Sequence, residues 1–198
     1  MNQLEYVSPE QWDIMIKFFC KRTRMHIGLV RKYCERVHHL FPDQFEGILQ
    51  RGELHDQTKW KDPEIVPYIF INAKKLLSKK DIQMNWPEEL QDLLNNATEH
   101  HILNNRHHPE CTCGKTENLI NKTDRDDIPE EMINATNMNP LDVAEMICDW
   151  CSMAEELGTD PFDWAKMNVN VRWEFNEFQE KLIYFLLENI WSIYDKIV

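Results

Sequence analysis

Four clusters of histidine and carboxylate recur along the chain. They are His26 in RMHIGLV, the His55-Asp56 pair in ELHDQTKW, the run EHHILNNRHHPE over 99–110, and Asp149 in EMICDWC. Imidazole nitrogen and carboxylate oxygen together are the donor set of Fe, Mn, Zn, Co and Ni, so converging clusters of these types would make a divalent-metal site. The third cluster is the densest: His100, His101, His107 and His108 are four of the eight histidines, within nine positions. On a continuous helix seven residues advance about 700°, which sets His101 and His108 within about 20° of each other and pairs His100 with His107 on the adjacent stripe. Pro109 disfavours helical geometry at His108, so the spacing leaves open which pair faces inward. A His-rich helix end standing in solvent is the bland alternative.

On a helix the adjacent His55 and Asp56 diverge by about 100°, and both ligate only an ion seated between them. Lys59 lies at i+4 from His55 and i+3 from Asp56, so it can face the same cavity and offer a point charge to a substrate phosphate. Without the neighbouring pair it would read as a surface lysine. Asp149 sits among Met146, Ile147, Cys148, Trp150 and Met153. A carboxylate in so apolar a stretch must be paired, hydrogen-bonded or metal-bound unless it faces solvent. Glu145, one turn earlier, shares its face. His38 and His39, at the end of the first helix, read as solvated.

The elements that must carry these residues are helices. SPEQ over 8–11 has the form of a capping box with Ser8 as N-cap, Pro9 at N1 and Gln11 at N3, predicting a long helix to about Leu40. A second helix is expected from about Asp43 to His55 or slightly beyond. A third is expected near Pro63 with Asp62 as cap, and a fourth from about Trp86 to Asn104. Residues 105–138 are polar and read as a long loop, a cover or binding segment. Asn139 as cap, Pro140 at N1 and Gly158 as the left-handed stop bound a further helix. A short helix follows in DPFDWAKMNVN, and a long amphipathic one over 172–197. The expectation is an all-α single domain over 1–198, a bundle of about seven helices.

Composition bounds the function. The 198-residue chain carries 22 Lys plus Arg against 34 Asp plus Glu, a net charge of −12, which disfavours broad binding to nucleic acid or anionic membranes. Five glycines are few for a turn-rich all-β fold. The N-terminal residues show neither a basic n-region nor an apolar h-region, and no run reaches membrane-span length, so a soluble, cytoplasmic protein is expected. In that compartment six cysteines are expected to be thiols.

The order His26, His55-Asp56, a histidine cluster and Asp149 resembles the HD-domain metal-dependent phosphohydrolase superfamily, and HDQTK is similar to its HD-x-x-K signature. More closely, HDQTKW, HHILNNRHHPE and VAEMICDWCSMA resemble an uncharacterised HD-like family of bacteria, phages and large DNA viruses, over roughly residues 22–175. The resemblance implies an HD-like helical bundle in which His26, His55, Asp56 and Asp149 bind one metal. Asp56 would bridge to a second metal held by His101 and His108, or by His100 and His107. Two-metal HD enzymes separate their third and fourth histidines by a few tens of residues, and the gap of seven here departs from that pattern.

One or two divalent ions (Fe, Mn, Zn, Co or Ni) would activate water for attack on a small phosphorylated molecule such as a nucleotide. Asp56 and Lys59 would act at the reacting phosphate, and Glu110 or Glu145 would move protons. Two alternatives come from other classes. One is an HD-fold di-iron oxygenase that cleaves C–C or C–P bonds. The other is a non-catalytic zinc module built on Cys111, Cys113, Cys148 and Cys151. Oligomeric state is not legible.

Overall fold

The computed structural model describes residues 6–78, 87–113 and 129–191. Eight α-helices occur among them: α1 Pro9–Leu40, α2 Ile48–Leu54, α3 Ile65–Ser78, α4 Glu88–Asn104, α5 Pro109–Cys113, α6 Pro140–Leu157, α7 Pro161–Asn168 and α8 Glu177–Ile190. A single 3-10 turn, Gln57–Trp60, follows α2, and two two-residue strands, β1 Ile133–Asn134 and β2 Trp173–Glu174, pair in parallel with Ile133 opposite Trp173. The fold is all-α. None of the helices is long and apolar enough to cross a membrane.

Several boundaries follow from the capping chemistry. Ser8 Oγ accepts from the Gln11 amide at 3.3 Å, while Gln11 Oε1 accepts from the Ser8 amide at 2.8 Å, and α1 starts at Pro9. Asn139 and Asp142 exchange the same pair of bonds, Pro140 opens α6, and Gly158 closes it at φ 68°. Other starts differ from expectation. Gly47, at φ 90°, delays α2 to Ile48 rather than Asp43. The Lys61 carbonyl accepts from both the Glu64 and Ile65 amides at 2.9 Å, so α3 begins at Ile65 and not at Pro63. The last helix is shorter than the expected 172–197: Trp173 and Glu174 belong to β2, Asn176 forms a capping box with Gln179, and residues 192–198 lie outside the described residues. The expected loop over 105–138 contains α5 and β1, and its residues 114–128 also lie outside the described ones.

The chain forms two compact units, one from residues up to Met25 with Asp56–His101, the other from His26–His55 with the chain from Ile102 onward. In the first, Met15 and Phe19 of α1, Tyr68, Ile69, Phe70 and Ala73 of α3, and Leu90 and Leu94 of α4 make the core, with Trp12 and Trp60 packed on it. The α4 stripe runs Leu90, Leu94, Ala97, His101 at helical spacing and is buried throughout.

In the second unit α6 is the central element, packed against α2, α7 and α8. Its apolar face, Val143, Ala144, Met146, Ile147, Cys148 and Cys151, meets Val30, Tyr33, Cys34 and Val37 of α1 and Ile183, Leu186, Leu187 and Ile190 of α8 in one cluster. His26 precedes Val30 by one turn on the buried side of α1. The Gln179 side chain ties α8 to the segment after β1, donating to the carbonyls of Ala135 (3.2 Å), Thr136 (3.1 Å) and Met138 (2.8 Å).

Removing that donor takes a partner from the Met138 and Thr136 carbonyls, while Ala135 keeps the Met138 amide, a cost of about 1–3 kcal/mol. Gln179→Ala should therefore lower the thermal midpoint. Gln179→Glu should lower it further, because it sets a carboxylate against the same oxygens while keeping the cap. An unchanged midpoint in Gln179→Ala would show that these bonds contribute nothing to stability.

Candidate metal centre

One edge of α6 is polar although it is mostly buried. Asp142, Glu145, Asp149 and Ser152 follow at steps of three, four and three, which keeps all four within about 80° of arc. Each is held by a specific partner. Asp142, fully buried, receives Arg51 Nη2 at 2.5 Å and Arg106 through Nε (3.0 Å) and Nη2 (2.7 Å). Glu145 Oε2 receives Arg51 Nη1 at 3.0 Å. Ser152 donates its hydroxyl to the Asp149 carbonyl at 2.8 Å.

Three histidines of the same unit meet this edge. His55 Nδ1 lies 3.0 Å from Glu145 Oε1, and His107 Nδ1 lies 3.3 Å from the same oxygen. The two rings are 4.2 Å apart between centroids. His26 Nδ1 lies 3.3 Å from Ser152 Oγ, and its Nε2 lies 3.2 Å from Asp149 Oδ1. His55 Nε2 lies 3.9 Å from that Asp149 oxygen. His55, His107 and Asp149 each offer an atom to a group small enough to hold one metal ion.

The proton positions follow from these contacts. Glu145 is ionised: burial pushes its carboxyl up, but the bonds from His107 and His55 hold it at about 2. It can only accept, so the imidazoles that face it carry their proton on Nδ1. The Ser152 hydroxyl has given its hydrogen to a carbonyl, so it accepts from His26 Nδ1 as well. A neutral ring with its proton on Nδ1 bears a lone pair on Nε2. His26 and His55 thus turn lone pairs toward Asp149 Oδ1. Burial also acts against that carboxylate, and only a hydrogen-bond donor or positive charge at His26 first, then at His55 and His107, holds it well below the usual range. Lone pairs facing one another repel unless a cation lies among them, either a metal ion or a second proton on a ring. Burial and the neighbouring His55 lower the His107 pKa, which disfavours the proton there. A metal ion with bonds of about 2.1 Å holds its ligands about 3.0–3.4 Å apart, the scale of the His26–Asp149 contact.

The other unit repeats the pattern. His101, the last buried position of the α4 stripe, places Nδ1 2.9 Å from Glu64 Oε2 and Nε2 3.2 Å from Asp56 Oδ1. Glu64 is fully buried, receives Thr58 Oγ1 at 2.8 Å, and has His100 Nδ1 2.8 Å from its other oxygen. Burial raises its pKa, but the hydrogen bond from His101 and the other partners leave it lowered. Lys59 contacts the second oxygen of Asp56 and sits 5.1 Å from the centre of the Tyr68 ring.

The expected residues are therefore placed as follows. His26, His55 and Asp149 meet in one unit, and Asp56, Lys59 and His101 meet in the other. His55 and Asp56 do not share a helix: His55 ends α2 in an extended conformation, and Asp56 adopts φ 58° ahead of the 3-10 turn. α4 stops at Asn104 and a turn follows, closed by the His108 amide on the Asn105 carbonyl at 3.0 Å, so His107 and His108 do not continue the α4 helix. That turn buries His107 and leaves His108 half-buried with its ring 4.2 Å from that of His107. Glu110 is buried on α5 and accepts the Trp173 indole N–H at 2.9 Å. His38 and His39 are exposed.

The cysteines behave as thiols. Cys111 and Cys113 donate to the carbonyls of Leu103 (3.2 Å) and Glu110 (3.4 Å), and burial raises Cys148 and Cys151 well above the ordinary thiol range. Sequence reasoning did not find Glu64, Thr58, Ser152 or Arg51. Their signal is weak, since each acts on a partner far away in the chain or, like Thr58, on a glutamate that does.

Comparison with known proteins adds a family but no activity. No curated protein and no solved structure matches the chain. A family model described as "Family of unknown function (DUF5662)" matches residues 15–190. The chain belongs to this DUF5662 family.

Proposed function

We propose that this protein is a metal-dependent phosphohydrolase of HD type, acting on a small phosphorylated molecule such as a nucleotide. The observation that carries the proposal is the orientation of His26, His55 and His101. Each faces a hydrogen-bond acceptor through Nδ1 and turns Nε2 toward a carboxylate oxygen, the arrangement that a metal ion completes.

His26, His55 and Asp149 would hold one ion in their unit, and Asp56 and His101 would hold a second in theirs. Divalent ions of the Fe, Mn, Zn, Co or Ni kind would supply Lewis acidity there, lowering the pKa of water and offsetting phosphate charge. The protein's own groups do the rest. Glu64 and Glu145 hold the imidazole rings in one tautomer. Lys59, close to Asp56, can exchange part of that contact for a phosphoryl oxygen as negative charge develops. Glu110 keeps one carboxylate oxygen on Trp173, and proton transfer would use the other. The acidic chain as a whole favours a small substrate over a nucleic-acid polymer.

His55→Ala and Asp56→Ala should each lose most bound metal by elemental analysis and lower phosphate release from a panel of nucleotides and sugar phosphates by at least about 10²-fold, the scale of a lost metal ligand or its support. Full metal content in either variant would overturn the ligand assignment. Lys59→Met should keep its metal and lower kcat/KM by about 10²-fold, equivalent to roughly 3 kcal/mol for a charged contact made in the transition state. Wild-type turnover should persist without dioxygen. A strict dioxygen requirement with no phosphate released would instead favour the oxygenase chemistry.

A further inference from the structure

We propose that His107 is a ligand of the same ion as His26, His55 and Asp149, and that Glu145 is the positioning residue that fixes His55 and His107 as a pair. It rests on the proposed metal site, but it differs from the HD pattern. There the histidines between the HD pair and the final aspartate serve a second ion.

The geometry within this one unit points to His107. Its ring is fully packed against that of His55, and the two Nδ1 atoms share a single oxygen, Glu145 Oε1, at 3.3 and 3.0 Å. An ionised carboxylate oxygen that bonds His55 Nδ1 and lies 3.3 Å from His107 Nδ1 favours a proton on Nδ1 in both rings, so their Nε2 atoms are left as bases. His55, His107 and Asp149 have donor atoms mutually close enough for one ion, and His26 Nε2 shares the Asp149 oxygen.

The carboxylate that orients the pair is itself held. Glu145 Oε2 takes one nitrogen of Arg51, whose other terminal nitrogen is on Asp142 at the first turn of α6. The ring orientations are thereby tied to the helix start rather than to a free rotamer. Three imidazoles and one carboxylate make a borderline donor set, so the ion is a transition metal and not Mg²⁺ or Ca²⁺, which prefer all-oxygen shells.

The test uses the full chain stripped by chelation and titrated with Co²⁺ against a chromophoric chelator, with the visible Co²⁺ absorption recorded. Wild type should bind Co²⁺ and not respond to equal Mg²⁺. His107→Asn retains an amide donor near the Nδ1 position facing Glu145 but has nothing at Nε2. It should weaken Co²⁺ binding at least about 100-fold and change the energy and intensity of the band, as should His107→Ala. Glu145→Gln should weaken binding about 10- to 100-fold, the range for residues that orient a metal-bound imidazole. It should also alter the band, whereas a merely structural role would lower the metal-free thermal midpoint and leave the band unchanged. His39→Ala, exposed at the end of α1, is the control and should match wild type. If wild type binds Co²⁺ while both His107 variants keep its affinity and band, the role of His107 is overturned and the metal-dependent reading stands. If Glu145→Gln leaves the band as in wild type, the positioning role is overturned. If wild type binds no Co²⁺, the proposed function falls with both.

Discussion

A neutral imidazole carries one proton on two nitrogens, and in this protein the oxygen that faces Nδ1 decides what Nε2 can offer. Glu145 faces His55 and His107, Ser152 faces His26, and Glu64 faces His101. The consequence is the same at each ring for which the second contact is known: the unprotonated nitrogen lies toward a carboxylate. These oxygens come from one face of α6 and from the residue ahead of α3, so the helices exist in register with the histidines they serve. Moving Glu145 by one position on α6 would rotate it about 100° away and release two rings at once.

Holding these groups inside the protein has a cost. Asp142, Glu145 and Glu64 are buried carboxylates, and each would be strongly destabilising alone. Their partners offset this: Arg51 and Arg106 on Asp142, Arg51 and the imidazoles on Glu145, Thr58 and two histidines on Glu64. Breaking one side of such a pair typically costs about 3–5 kcal/mol, whereas replacing the whole network by apolar groups can be neutral. Stability alone therefore does not explain why a helix as apolar as α6 retains four polar residues on one edge. The capping box of Asn139 with Asp142 adds a reason for the location, because the helix N-terminus favours negative charge in its first turn.

The helical class and several helix limits were legible because they depend on local chemistry. Ser8 with Gln11, Asn139 with Pro140, and Gly158 act on their own backbone neighbours, and the structure repeats them. The cluster leaves open whether His100 or His101 faces inward; His101 does, continuing the stripe of Leu90, Leu94 and Ala97. His107 was not legible, since a heptad presumes an unbroken helix and α4 ends at Asn104. The same presumption misplaced His55 and Asp56 on one helix, where the chain instead turns through φ 58°. Arg51, Glu64 and Ser152 were invisible for a different reason. A residue that orients another has no spacing rule when its partner lies tens of positions away, as 90 separate His55 from Glu145.

Charge supplies a further constraint on what these clusters can bind. In the unit built on α6, Arg51 and Arg106 meet Asp142 and Glu145 while Asp149 meets His26 and His55, which among the described residues leaves one negative charge in excess if the histidines are neutral. In the other, Lys59 meets Asp56 while Glu64 meets Thr58, His100 and His101, again one negative charge in excess if the histidines are neutral. A divalent cation would turn each deficit into a single positive charge, favourable for a phosphate dianion but of no particular use for a neutral ligand. Protonating one histidine in each cluster would only reach neutrality, and in the α6 unit it would leave another Nε2 lone pair facing Asp149. A metal ion would satisfy both the charge and the lone-pair geometry, and the positive charge left over would suit the phosphorylated substrate proposed above.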